Sequence, residues 1–149
     1  MEIHQDFSEL LREFVAEGAR FLIVGGYAVG VHARPRMTKD LDLFVARDPE
    51  NAARVYRALL RFGAPLEDVS ERDFTSDDLI YMMGRAPVRV DVLTSIESVE
   101  FEEAWQGRVA VQLGEITVNV IGRDALLKNK RAVGRPQDLA DVDAILRNS

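Results

Sequence analysis

Asp40 and Asp42 stand one residue apart in an otherwise apolar run, Asp40-Leu41-Asp42-Leu43-Phe44-Val45. In a β-strand side chains alternate faces, so the two carboxylates share a face with Cα atoms roughly 7 Å apart, and Leu41 and Leu43 take the other. Parallel carboxylates repel unless something cationic sits between them. Asp91 repeats the pattern in Val88-Arg89-Val90-Asp91-Val92-Leu93 and could complete an oxygen cage suited to Mg2+. A lone Asp-x-Asp is a weak signal, because acids are ordinary on the wet face of a strand. Asp is nevertheless depleted in strands, and Leu41, Leu43, Phe44 and Val45 describe a central one. One shared cation explains two such anomalies better than two accidents of surface patterning. The structural alternative is that Asp40, Asp42 and Asp91 pair with Arg34, Arg36 and Arg89 across a sheet face, which would add little net stability.

Gly25-Gly26 closes the preceding apolar run, Phe21 to Val24. An isolated glycine pair is usually a tight turn that needs positive φ. Between a buried strand and a helix start it also lets backbone N–H groups approach a phosphate with no Cβ in the way, at the positive end of the helix dipole. Thr38 is either a turn former or a hydroxyl donor to a phosphate or a metal-bound water. Arg36 and Lys39 are solvated cations unless a phosphate is near, and Lys128 and Lys130 suit the C-terminal end of a helix for purely electrostatic reasons. His32 and His4 make no metal set, and Thr75, Ser76 and Ser95 have no histidine at a triad spacing.

The elements that must hold these residues follow from periodicity. Phe7, Leu10, Leu11, Phe14 and Val15 mark an amphipathic helix with Gly18 just past its end, its apolar stripe facing the core. After the first strand, Tyr27 to His32 is helical and Arg34-Pro35-Arg36 breaks it. Asp48-Pro49-Glu50 starts a helix that carries Ala52, Val55, Tyr56, Leu59 and Leu60 on one face and stops near Gly63. Pro65 to Asp78 holds six acids and reads as a loop with one helical turn at most, bordering the site. Leu79 to Met83 and Val88 to Leu93 read as a hairpin, as do Val109 to Leu113 and Ile116 to Val120, with a short helix from Val99 to Trp105 between them. Asp124 caps a helix over Ala125 to Ala132, and a last helix turns Leu139, Val142, Ile145 and Leu146 inward. Alternating strands and helices make an α/β or α+β pattern with a mixed sheet.

At 149 residues and 47% hydrophobic content the chain fits one domain, residues 1–149, with a core of ordinary size. The absence of cysteine excludes disulfides, thiolate metal sites and a cysteine nucleophile, and leaves oxygen donors that favour a hard cation. No segment reaches the roughly 18 apolar residues of a membrane span, and there is no basic leader, so a soluble cytoplasmic protein with no membrane partner is expected. A net charge of −6 argues against a broad nucleic-acid-binding face. Basic clusters remain at Arg34, Arg36 and Lys39, and at Lys128, Lys130, Arg131 and Arg135.

Taken together, Gly25-Gly26, then Arg36-x-Thr38-x-Asp40-x-Asp42, then Asp91 in a later strand resemble the nucleotidyltransferase superfamily of the DNA polymerase β type. The tail Lys128-Asn129-Lys130-Arg131-Ala132-x-Gly134-Arg135-Pro136-Gln137-Asp138-Leu139-x-Asp141 is similar to that of small stand-alone bacterial members related to AbiEii-type toxins. The resemblance implies a twisted mixed sheet with helices packed on it, and transfer of a nucleoside monophosphate from an NTP. It implies that Asp40, Asp42 and Asp91 hold two Mg2+ ions, with Mn2+ as a substitute, and that Asp91 takes the acceptor's proton. Gly25, Gly26, Arg36, Thr38, Lys128 and Arg135 would contact the nucleotide. The acceptor stays open among a protein, a tRNA end and a small molecule such as an antibiotic, and a toxin with an antitoxin partner is one setting. A catalytically inactive nucleotide- or partner-binding module of the same fold is the alternative.

Overall fold

The computed structural model describes residues 4–35, 40–85 and 88–148, with Arg85 described in its backbone alone. Of the candidate residues, Arg36 and Thr38 lie outside the described residues, as does Lys39. The elements in chain order are α1 (Gln5–Ala16), β1 (Phe21–Val24), α2 (Gly25–His32), β2 (Asp40–Val45), α3 (Pro49–Phe62), a 3-10 turn (Glu71–Thr75), β3 (Ile80–Arg85), β4 (Val88–Leu93), α4 (Phe101–Gln106), β5 (Val109–Leu113), β6 (Ile116–Val120), α5 (Arg123–Val133) and α6 (Pro136–Arg147).

The six strands form one mixed sheet in the order β3-β4-β2-β1-β6-β5. β2 runs parallel to β4 and antiparallel to β1, and β1 runs parallel to β6. The two hairpins, β3–β4 and β5–β6, supply the edges. Alternation assigns the faces. Leu41, Leu43 and Val45 of β2, Val90 and Val92 of β4, and Tyr81 and Met83 of β3 are all buried on one face. α1 lies on that side, where Phe14 meets Phe21 edge-on with ring centroids 5.2 Å apart. The other face carries Asp40, Asp42 and Phe44, and α4 covers it at Phe44 through Phe101, again at 5.2 Å. The 65–74 part of the 65–78 segment belongs to the first side: Tyr81 Oη donates to the carbonyl of Pro65 at 2.6 Å and Phe74 packs on the Tyr81 ring. It therefore packs behind the acids, where the sequence suggested that it borders them.

Buried Asn51 ties three elements at one point. Its Nδ2 donates to the carbonyls of Ala46 (2.7 Å) and Arg20 (3.1 Å), and its Oδ1 accepts from the Arg20 N–H at 2.7 Å. The start of β1, the end of β2 and the first turn of α3 are thus pinned together. Asp48 caps α3 through the Asn51 N–H at 3.1 Å, and Gly63 ends it at φ 91°.

Three helical expectations need correction. Val15 is 38% exposed and Leu60 60%, so the buried stripes of α1 and α3 are narrower than the apolar periodicity. α5 begins two residues early: Gly122 is its N-cap and Asp124 falls within the first turn, where it complements the helix dipole without capping. In α6, Leu139 and Leu146 face water while Asp138 and Asp141 are buried. The cause is Lys130 of α5, itself buried, whose Nζ lies 3.2 Å from Asp138 and 3.1 Å from Asp141. A buried cation turned the helix so that its acids face inward.

Candidate active site

Parallel pairing of β2 with β4 places Asp42 opposite Asp91 and Asp40 opposite Arg89. Antiparallel pairing of β1 with β2 places Val24, the last residue before Gly25, opposite Asp42. The glycine turn and two of the three acids therefore meet at one end of the sheet. Gly25 is fitted there twice over. Its φ is +67°, and a Cβ on it would stand 2.1 Å from Asp42 Oδ2, so the carboxylate occupies the room that any side chain would take.

Burial and the neighbouring Asp91 and Asp40 push the Asp42 carboxyl up to about 7, against the pull of Arg89. A side-chain hydrogen bond between Asp42 and Asp91 adds to that rise. Among the described residues, Arg89 is the cation nearest the cluster. Its guanidinium lies 3.4 Å from Asp40 and 3.2 Å from Asp91, and both acids raise its own affinity for its proton, Asp91 more strongly. The Nε of Arg89 and Oδ1 of Asp91 are buried and, though ion-paired, make no hydrogen bond. The expected pairing of acids with Arg89 is thus present for Asp40 and Asp91. Among the described residues, no three Asp, Glu, His or Cys side chains gather closely enough to enclose a metal ion. The donors that are gathered, a half-neutralised pair of carboxylates with an oxygen lacking a hydrogen bond, suit a hard divalent cation in chemistry and in charge.

Gly25 and Gly26 are the first two residues of α2, and its N-cap, Val24, has no side chain able to accept from the first-turn N–H groups. Those donors open beside Asp42. At the far end of α2, His32 Nε2 lies 2.7 Å from the Ile121 carbonyl, which makes the histidine a packing residue. Lys128 and Arg135 have their contacts elsewhere. Lys128 Nζ is 2.8 Å from Glu103 of α4, and Arg135 Nε is 2.7 Å from Asp138 at the start of α6. The described structure brings Gly25, Gly26, Asp40, Asp42 and Asp91 together, and places Lys128 and Arg135 in the layer of α4, α5 and α6. Arg89 belongs with the acids, and its position two residues before Asp91 in a strand is the signal that puts it on their face.

No family model matches the chain, and no curated protein matches it in sequence. Solved structures do match in shape. A candidate nucleotidyltransferase from Thermotoga maritima superposes with a TM-score of 0.62 at 12% identity, over 99% of this chain and 97% of the other. The lincosamide antibiotic adenylyltransferase LnuA, solved with lincomycin bound, gives 0.59 at 12% identity, over 99% and 98%. ANT(2″)-Ia in complex with adenylyl-2″-tobramycin gives 0.55 at 14% identity, over 95% and 86%. The mixed sheet with its helices is therefore the nucleotidyltransferase fold. Among the described residues, no helix is long and apolar enough to cross a membrane.

Proposed function

We propose that this chain is a divalent-metal-dependent nucleotidyltransferase that moves a nucleoside monophosphate from an NTP to an acceptor hydroxyl. The observation that carries this reading is the register of Asp42 with Asp91 against the Gly25 turn, on a fold of this kind. Asp42 and Asp91, with Asp40, would hold Mg2+, which when bound supplies positive charge to the triphosphate and the acceptor oxygen. The chain's own groups do the rest. The open N–H groups of Gly25 and Gly26 bind phosphate oxygens at the start of α2. Asp91 accepts the acceptor's proton as the acceptor oxygen bonds to the α-phosphorus. The bond from that phosphorus to the oxygen bridging the β-phosphate breaks, and pyrophosphate leaves. Arg89, ion-paired to Asp40 and Asp91, orients both carboxylates.

That LnuA was solved with lincomycin, and ANT(2″)-Ia with an adenylylated tobramycin, supports a small-molecule acceptor over a protein or a tRNA end. The tail's likeness to AbiEii-type proteins leaves a toxin with an antitoxin partner within the proposal, and the neighbouring gene tests it. The direct experiment incubates the protein with Mg2+ and each α-labelled NTP over hydroxyl acceptors of the three classes, beside Asp42→Asn. Label transfer that requires both Mg2+ and Asp42 is expected, and no transfer in any combination defeats the reading.

One observation favours a second reading, a nucleotide-binding module without transfer. Arg89 already neutralises part of the acid cluster, and no three acids among the described residues enclose a metal position. Calorimetry separates the two: a module binds NTP with little dependence on Mg2+, whereas the enzyme loses affinity when Asp40 is replaced.

A further inference from the structure

Rows of side chains cross the acid-bearing face from β2 to the free edge of the sheet. Asp42, Asp91 and Met82 form one row, and Phe44, Leu93 and Ile80 form the next. The inner end of the second row is closed, with Phe44 1% exposed beneath Phe101. The outer ends are open. Met82 is 60% exposed and Ile80 59%, although Tyr81 and Met83 on the opposite face of the same strand are buried. Beyond Met82 the next position is Gly84, opposite Arg89, which adds no side chain to obstruct approach. At the other end Ser95 Oγ donates to Asp78 at 2.7 Å and closes the rim. Two large apolar side chains are thus kept in water on the face that carries Asp91, and Met82 is the direct cross-strand neighbour of Asp91.

We propose that Met82, Ile80 and Leu93 are the acceptor platform of the transferase. They take the apolar ring or branched chain of a small hydroxyl compound and so bring its hydroxyl to Asp91. This rests on the transferase reading and names the substrate class for that site. Cross-strand neighbours lie about 5 Å apart and alternate residues of a strand roughly 7 Å apart, so the platform is the size of one ring. A stable protein partner would need roughly 800 Å² on each side. Methionine's flexible thioether suits a surface that grips apolar groups of varied shape. Asp78 gives the rim an anionic group, which disfavours acidic acceptors.

The test uses matched glycosides, one of each pair carrying a phenyl or cyclohexyl group and the other a methyl group. The wild-type protein with ¹³C-labelled methionine methyls is titrated with each, the Met82 signal being assigned by its loss in Met82→Ser. Transfer from labelled NTP is then measured for wild type, Met82→Ser and Ile80→Ser, all changes at exposed positions. The ring-bearing members should move the Met82 methyl and should have a KM at least tenfold below their methyl partners. Each variant should erase that advantage while leaving the KM for NTP within twofold. Equal shifts and equal KM within the pairs overturn the platform. So does transfer that Met82→Ser and Ile80→Ser leave unchanged, or transfer confined to polypeptides paired along β3, and in both cases the transferase reading stands. No transfer by the wild-type protein to any acceptor overturns both.

Discussion

At the scale of single residues, Asp42 dominates the behaviour of the metal-free protein. Its carboxyl is raised from the ordinary 3.8 to about 7, so between those values the folded chain holds a proton that the unfolded chain has lost. Stability from this group is complete below about pH 4 and falls as pH rises to about 7. Thermal melts of metal-free protein should therefore slope downward across that window. Asp42→Asn should flatten the slope and raise the melting temperature at pH 8, even as it abolishes transfer. Gly25→Ala meets two obstacles, a left-handed backbone that costs an L-residue roughly 1–2 kcal/mol and a Cβ 2.1 Å from Asp42 Oδ2. Single-turnover assays should find transfer reduced about a hundredfold in that variant, because the displaced carboxylate is one that must be positioned. Lys128→Ala removes an exposed pair with Glu103, which water screens, so urea melts should hardly change. A large loss of NTP affinity in that variant would then report a phosphate contact.

At the scale of elements, two buried polar knots carry joints, one between α3 and the strands β1 and β2 and one between α5 and α6. Asn51→Ala strips partners from the Arg20 N–H and from the Ala46 and Arg20 carbonyls, and a loss of about 1–3 kcal/mol in chemical denaturation is expected. Lys130→Met takes the buried cation from Asp141 and leaves Asp138 with Arg135 alone, and a loss of about 3–5 kcal/mol is expected there. These knots also mark where sequence reading ended. The strands and the acids in them were legible because alternation is a short-range rule: Leu41 and Leu43 fix the face of Asp40 and Asp42 without knowledge of any other strand. The inward face of α6 was legible only at Val142 and Ile145, which are buried; apolar spacing also pointed to Leu139 and Leu146, while the buried partner that attracts Asp138 and Asp141 sits on another helix. Met82 carries no such short-range signal, since only its pairing with Asp91 across β3 and β4 gives it meaning.

At the scale of the whole molecule, the two faces of the sheet have different duties. One is sealed by α1 and its neighbours, and the other is covered at Phe44 and opens toward β3, so a ligand can enter along the edge without moving a helix. Ligand that binds only the folded chain stabilises it by mass action. Mg2+ with NTP at a hundredfold excess over its dissociation constant should raise stability by about 2.7 kcal/mol, read as a shift in the thermal transition, and Asp42→Asn should lose that shift. The parallel pairing of β2 with β4 has a further meaning in time. Asp42 and Asp91 become neighbours only after the chain between these strands, with α3 and the whole of β3, has been looped out and closed. Closing so long a loop is entropically slow, and the charges it brings together oppose the last step at neutral pH. During synthesis the emerging chain therefore carries Asp40 and Asp42 before Asp91, and the acids cannot come into register until β4 has been made.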